Sequence, residues 1–169
     1  MKKTNSVYRF FKHFFSHPWQ VNRHFSAQAL KKIEQAISDS EKTHAGEIRF
    51  IVEAGLHPLE ILRKKTPKKR ALELFGNLNI WDTEQNNSVL IYLLLVDKDV
   101  EIVADRGINK HVGHVGWEKI CQNMESLFRK GEFEAGVLQG IKEISAELAQ
   151  HYPLTGVSKN EISNKPLIL

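Results

Sequence analysis

Apolar residues recur along this chain at two spacings, three-to-four and two, and the switches between them divide it into elements. Near the start, Phe10, Phe11, Phe14 and Phe15 fall on one side of a helix, with Arg9, Lys12 and His13 beside them. Pro18 ends that helix. Ser26 is a good N-cap, and Leu30, Ile33 and Ile37 follow at helical spacing, which predicts a second helix to about Glu41. From Gly46 to Ala54 the period changes to two. Ile48, Phe50 and Val52 alternate with Glu47, Arg49 and Glu53, which predicts a strand with one wet face near a sheet edge. Residues 57–65 read as irregular or as a short helix. Thr66 then caps a helix with Pro67 at its first position and Ala71, Leu72, Leu74 and Phe75 along it, ending at Gly76 or Asn77. Ser88–Val96 is nearly all apolar and reads as a strand covered on both faces. After the break Asp97-Lys98-Asp99, Val100–Ala104 completes a β-hairpin. Two helices close the pattern. Val115–Arg129 carries Ile120, Met124, Leu127 and Phe128, and Phe133–His151 carries Val137, Ile141, Ile144 and Leu148. Gly131 separates them and Pro153 stops the second.

This order predicts one α/β domain over residues 26–153, preceded by a basic aromatic leader (1–25) and followed by a polar, disordered tail (154–169). A β-α-β unit makes the first two strands parallel through a right-handed crossover, and the hairpin adds the third antiparallel. The greasiest strand, Val89–Val96, belongs between the other two. Helices must cover both faces, giving a three-layer α/β/α sandwich on a small mixed sheet.

The strand directions also focus candidate chemistry. The starts of the first two strands and the end of the third share one edge of the sheet. That edge gathers His44, Glu47, Asp82, Asn86, Asn87, Asp105 and Arg106. Carboxylates with an imidazole suit a hard cation or acid/base work, so Asp105 and Glu47 are the candidate catalytic pair. Asp105, Glu47, Asp82 and His44 are the candidate metal ligands. Arg106 suits a phosphate or an ion pair with the acids. The plain alternative is a polar strand-end turn, with Arg106 paired to Glu47.

Charge changes the picture at one end of the chain. The net charge is +4, yet residues 1–33 hold seven of the 24 Lys and Arg residues and no acid. The remainder has 17 basic and 20 acidic residues, so the basicity is mostly a property of the leader. An aromatic, basic helix suits the headgroup region of anionic lipid or a protein partner, with Phe10, Phe11, Phe14, Phe15, Arg9 and Lys12 as docking residues. A second basic cluster (Arg63, Lys64, Lys65, Lys68, Lys69 and Arg70) lacks interleaved aromatics and reads as a solvated face rather than a nucleic-acid site. The single cysteine, Cys121, excludes an internal disulfide and reads as a buried, inert thiol. No apolar run is long enough to span a bilayer and the start lacks a secretion signal. A cytoplasmic protein is expected, peripheral at the inner membrane face through the leader.

Four segments in order, HAGEIRFIVE (44–53), NNSVLIYLLLVDKDVEIVADRGI (86–108), WEKI (117–120) and FRKGEFEAGVLQGI (128–141), resemble the TPM domain. The likeness runs from about Ser26 to Pro153. That family includes a thylakoid acid phosphatase, photosystem II repair proteins, membrane-anchored bacterial relatives and small bacterial proteins without an anchor. The resemblance implies the same sandwich, a divalent cation (calcium) near the loop after the hairpin, and acid phosphatase activity within the family. The chain departs from the family at that loop. Many metal-binding relatives have a Gly-aromatic-Gly-like turn followed by an acid; here the turn is Ala104-Asp105-Arg106-Gly107 and residues 111–116 contain no carboxylate. The function expected from the whole is a non-enzymatic interaction module near the membrane, with a phosphatase-like, metal-assisted hydrolase as the alternative.

Overall fold

The computed structural model describes residues 6–156 and 160–169. Helices α1 (Ser6–Phe14), α2 (Trp19–His24) and α3 (Ala27–Ser40) lead into strand β1 (Ile48–Glu53). Helices α4 (Pro58–Leu62) and α5 (Pro67–Asn77) connect it to β2 (Val89–Leu94). A turn of 3-10 helix (Leu95–Asp97) leads to β3 (Asp99–Ala104), and α6 (Arg106–Lys130), α7 (Phe133–His151) and β4 (Leu167–Ile168) follow. Caps act where the sequence places them: Ser26 accepts from Ala29 N–H and Thr66 from Lys69 N–H.

The sheet order is β3-β2-β1-β4. β1 and β2 run parallel with Ile48 opposite Val89, and β2 and β3 run antiparallel with Val89 opposite Ala104. β2 lies between β1 and β3, as its unbroken apolar run requires, and all six of its residues are buried. One face of the sheet packs Ile48, Phe50, Val52, Val89, Ile91 and Leu93 against apolar stripes of α3, α6 and α7. The other face packs Ile51, Leu90, Tyr92 and Leu94 against Ile61 of α4 and Ala71 and Leu74 of α5. The architecture is therefore the α/β/α sandwich.

Three local expectations change. The tail is not wholly irregular: β4 pairs parallel to β1, with Ile51 opposite Leu167 and Val52 opposite Ile168. β1 is accordingly an interior strand, and Glu53 is buried rather than wet because Arg70 and Tyr92 bond its carboxylate. The helix after β3 begins at Arg106, capped by Asp105, not at Val115. It is broken at Gly113, whose φ of 68° and ψ of 173° suit glycine alone. The stretch before Val115, left outside the expected helix, is thus helical up to that break.

The described residues of the leader pack on the domain. α1 packs on α4, and Phe10 reaches the core beneath α5. His13 is buried: its Nδ1 accepts the Leu56 N–H at 3.0 Å, and its Nε2 lies 3.1 Å from Asp97. Because Nδ1 accepts, the proton sits on Nε2 and points at the carboxylate. Arg9 donates to the same oxygen of Asp97 at 3.0 Å, and Lys12 lies 3.7 Å from the other. Burial opposes ionisation of Asp97, but the bond from His13 and the charge of Arg9 outweigh it and hold the carboxyl below its ordinary range.

Candidate functional site

The register of the three long strands fixes the rim. One residue beyond the paired trio Ile48, Val89 and Ala104 lie Glu47, Ser88 and Asp105. The backbone ladder continues through them, with Val89 N–H donating to Glu47 C=O at 2.8 Å and Asp105 N–H to Ser88 C=O at 2.9 Å. Strand polarity therefore brings Glu47 and Asp105 to one margin, with Ser88 between. Their carboxylates, however, are engaged in different structures.

Asp105 belongs to a helix start. Its side chain accepts from Arg106 N–H at 2.6 Å and caps α6, while Oδ2 is buried without a hydrogen-bond partner. Arg106 turns to Asn86, Nε to Oδ1 at 3.4 Å, and does not pair with Glu47. Gly107 lets α6 approach this turn: a methyl group there would collide with the Asn86 carbonyl and the Tyr152 hydroxyl. Burial and the charge of Asp105 raise the pKa of Tyr152.

Glu47 belongs to the tail. Its two carboxylate oxygens accept the N–H groups of Glu161 and Ile162, both at 3.2 Å. Beside it, Glu41 accepts from Ile48 N–H at 3.3 Å and from the Asn164 amide at 2.7 Å. Burial and the neighbouring charge of Glu47 push the Glu41 carboxyl from 4.5 up to about 7. Burial likewise raises Glu47, against the two amide bonds. Glu41 and the 160–164 segment were not visible as partners of Glu47 in the sequence, since 114 residues separate Glu47 from Glu161.

The remaining predicted ligands scatter. Asp82 is exposed, in a separate groove with Arg49, Glu161 and Ser163. His44 is fully buried under the α7 end, bridged to Pro153, and neither ring nitrogen has a hydrogen-bond partner. Burial lowers its pKa; backbone groups of Gly46 and His44 oppose that without reaching hydrogen-bond geometry. Asn87 donates to Ala45 C=O at 2.9 Å. Among the described residues no three His, Cys, Asp or Glu side chains converge on a point where a metal ion would fit. Glu47 is occupied by amides and Asp105 by a helix terminus, so the residues present do not fit the divalent cation that the resemblance implies.

The described surface carries a second candidate, built by α1, α2 and α4. With Phe10, His13 and Arg9 turned inward, the opposite side of α1 is left outside: Phe11, Phe14 and Phe15 are 52%, 53% and 64% exposed. Tyr8 and Trp19 are exposed with them, as are Leu59 and Leu62 of α4, the helix on which α1 packs. Arg63 and Lys64 are exposed at the end of α4. Of the docking residues expected from sequence, Phe11, Phe14 and Phe15 face solvent, whereas Phe10, Arg9 and Lys12 are spent on the domain. No described helix is long and apolar enough to cross a membrane.

Comparison with known proteins agrees with this architecture. BA42 protein from the psychrophilic bacterium Bizionia argentinensis, known from an NMR structure, is 31% identical, with a TM-score of 0.75 over 85% of this chain and 94% of that one. The N-terminal domain of a P. gingivalis protein, at 16% identity and a TM-score of 0.57 over 78% of this chain and 83% of that one, shares the fold. No curated protein matches the chain. The sequence pattern of the TPM domain matches residues 22–147, and the chain belongs to the TPM domain family.

Proposed function

We propose that this TPM domain works by binding rather than by catalysis, and that it docks on an anionic membrane surface through the aromatic face of α1. The observation that carries the reading is that α1 is pinned to the domain by Arg9, His13 and Phe10 and leaves Phe11, Phe14 and the following Phe15 exposed. A helix that merely covered a sheet face would be turned the other way, because leaving three Phe rings half in water forgoes on the order of 1–2 kcal/mol each. Neighbouring exposed aromatic rings, on a helix packed against another that ends in exposed basic residues, are the pattern of a membrane or partner surface. Arg63 and Lys64 add attraction to anionic headgroups of about 1 kcal/mol each near the surface. The hydrolase alternative has no comparable support: Glu47 is held by two backbone amides of the tail, and Asp105 caps α6 through one oxygen.

Flotation with vesicles of phosphatidylglycerol and phosphatidylcholine tests this. The full chain floats with the anionic vesicles, and Phe11→Ser/Phe14→Ser/Phe15→Ser stays at the bottom of the gradient with unchanged melting temperature. Equal flotation of both proteins, or of neither, refutes the reading.

A further inference from the structure

β3 is an edge strand, and among the described residues no strand pairs with its outer side. Asp105 and Ser88 form a hydrogen-bonded pair, so by the alternation of antiparallel ladders Val103, Glu101 and Asp99 bond β2 as well. The N–H and C=O groups of Val100, Ile102 and Ala104 therefore face away from the sheet. Along this edge runs a groove of about 530 Å³ between α5 and α6, floored by β3 and bordered by Trp117 and Cys121. Asp99 and Glu101 stand on its α5 side, and Glu118 and Glu125 on its α6 side.

The acids of the strand form no ion pair among the described residues, and Arg9, Lys68 and His114 offset their charge only from a distance. Among the described residues neither Asp99 nor Glu101 has a cation within ion-pair distance; His114 and Arg129 pair instead with Glu118 and Glu125. Burial, then repulsion by Glu101, Glu125 and Asp97, pushes the Asp99 carboxyl up to about 7, and burial raises Glu101 although Lys68 opposes it. A single metal ion does not answer this charge, because no three ligands converge there among the described residues. Asp99 and Glu101 are two residues apart on one strand, hence about 7 Å apart on the same face. That is the repeat of alternate side chains on a neighbouring strand. A second copy of the same edge would set these acids against each other and is disfavoured.

We propose that the β3 edge receives an extended basic segment of a partner protein, which adds as a fifth strand and sets alternate Lys or Arg side chains against Asp99 and Glu101. The backbone groups of Val100, Ile102 and Ala104 supply the pairing, and the carboxylates select the charge. The Cys121 thiol, which lies by the Ile102 N–H and is pushed up to about 12 chiefly by burial, is a neutral, weak acceptor that an incoming carbonyl displaces. This surface is built from β3 and α6, so the proposal stands apart from membrane docking by α1.

The test uses the full chain and the labelled peptide acetyl-Lys-Thr-Lys-Val-Lys-Thr-amide, followed by fluorescence anisotropy and by amide chemical shifts. The peptide binds, and the largest shifts fall on Val100, Ile102 and Ala104. Glu in place of each Lys abolishes binding, and Asp99→Asn/Glu101→Gln weakens it by about tenfold or more. N-methylation of alternate peptide bonds, which leaves charge intact and blocks pairing, abolishes binding to the natural chain. That comparison decides the matter even where the double variant fails to fold. No binding at millimolar peptide, equal binding of the N-methylated peptide, or shifts confined to another surface overturns the proposal.

Discussion

Glu47 is buried and Glu41 half-buried under the tail, and their charges oppose each other. A carboxyl raised in the folded chain favours folding while it is protonated in both states. Its contribution is full below pH 4.5 and is lost as pH rises through about 7. Stability therefore declines from pH 5 to pH 8, and Glu41→Gln flattens that slope by about 1–2 kcal/mol once solvent screening is allowed for. Urea unfolding at a series of pH values measures it; a slope identical in the variant contradicts the assignment. Glu53 is a buried carboxylate met by Arg70 with two 2.9 Å bonds and by the Tyr92 hydroxyl at 2.7 Å. Glu53→Ala strands both partners and costs about 3 kcal/mol by urea unfolding. Neither environment was legible in the sequence. Alternation put Glu53 and Glu47 on a wet face, and only tertiary partners 17 and 114 residues away make burial of those carboxylates tolerable.

At the scale of elements, strand directions were legible because chain order constrains them: a helix between two strands forces a parallel crossover, and a three-residue break forces a hairpin. β4 was not, because Leu167-Ile168 is two residues long and gains its identity only from the exposed edge of β1. Ending the chain at residue 159 leaves the carboxylate of Glu47 without its donors and uncovers β1. The truncated protein loses about 2 kcal/mol or more and self-associates, as thermal melts and light scattering will show. The start of α6 was misread for a related reason. Residues 105–114 offer only Ile108 and Val112 as an apolar stripe, and Gly107 and Gly113 look like loop signals. In the fold Gly107 admits a close contact and Gly113 takes a backbone conformation open to glycine alone. Gly113→Ala is accordingly expected to lower stability by about 1–3 kcal/mol, although no atom lies where the new methyl would go.

For the whole molecule, the sandwich and the shared rim followed from the sequence, whereas the orientation of the leader did not. Periodicity grouped Phe10 with Phe11, Phe14 and Phe15, but which side turns inward depends on Asp97, a residue of the hairpin break that collects Arg9, Lys12 and His13. That ion cluster, with Phe10 packed on the core, presents Phe11, Phe14 and Phe15 to the outside and makes α1 a fixed surface rather than a loose tether. The most direct measurement places a nitroxide at residue 15 (Phe15→Cys in a Cys121→Ser background) and compares its accessibility to oxygen and to a water-soluble nickel chelate on anionic vesicles. A label that becomes accessible to oxygen and shielded from nickel when vesicles are added, with secondary structure unchanged, is the predicted result. A label that remains open to nickel while the protein is vesicle-bound would contradict docking through α1.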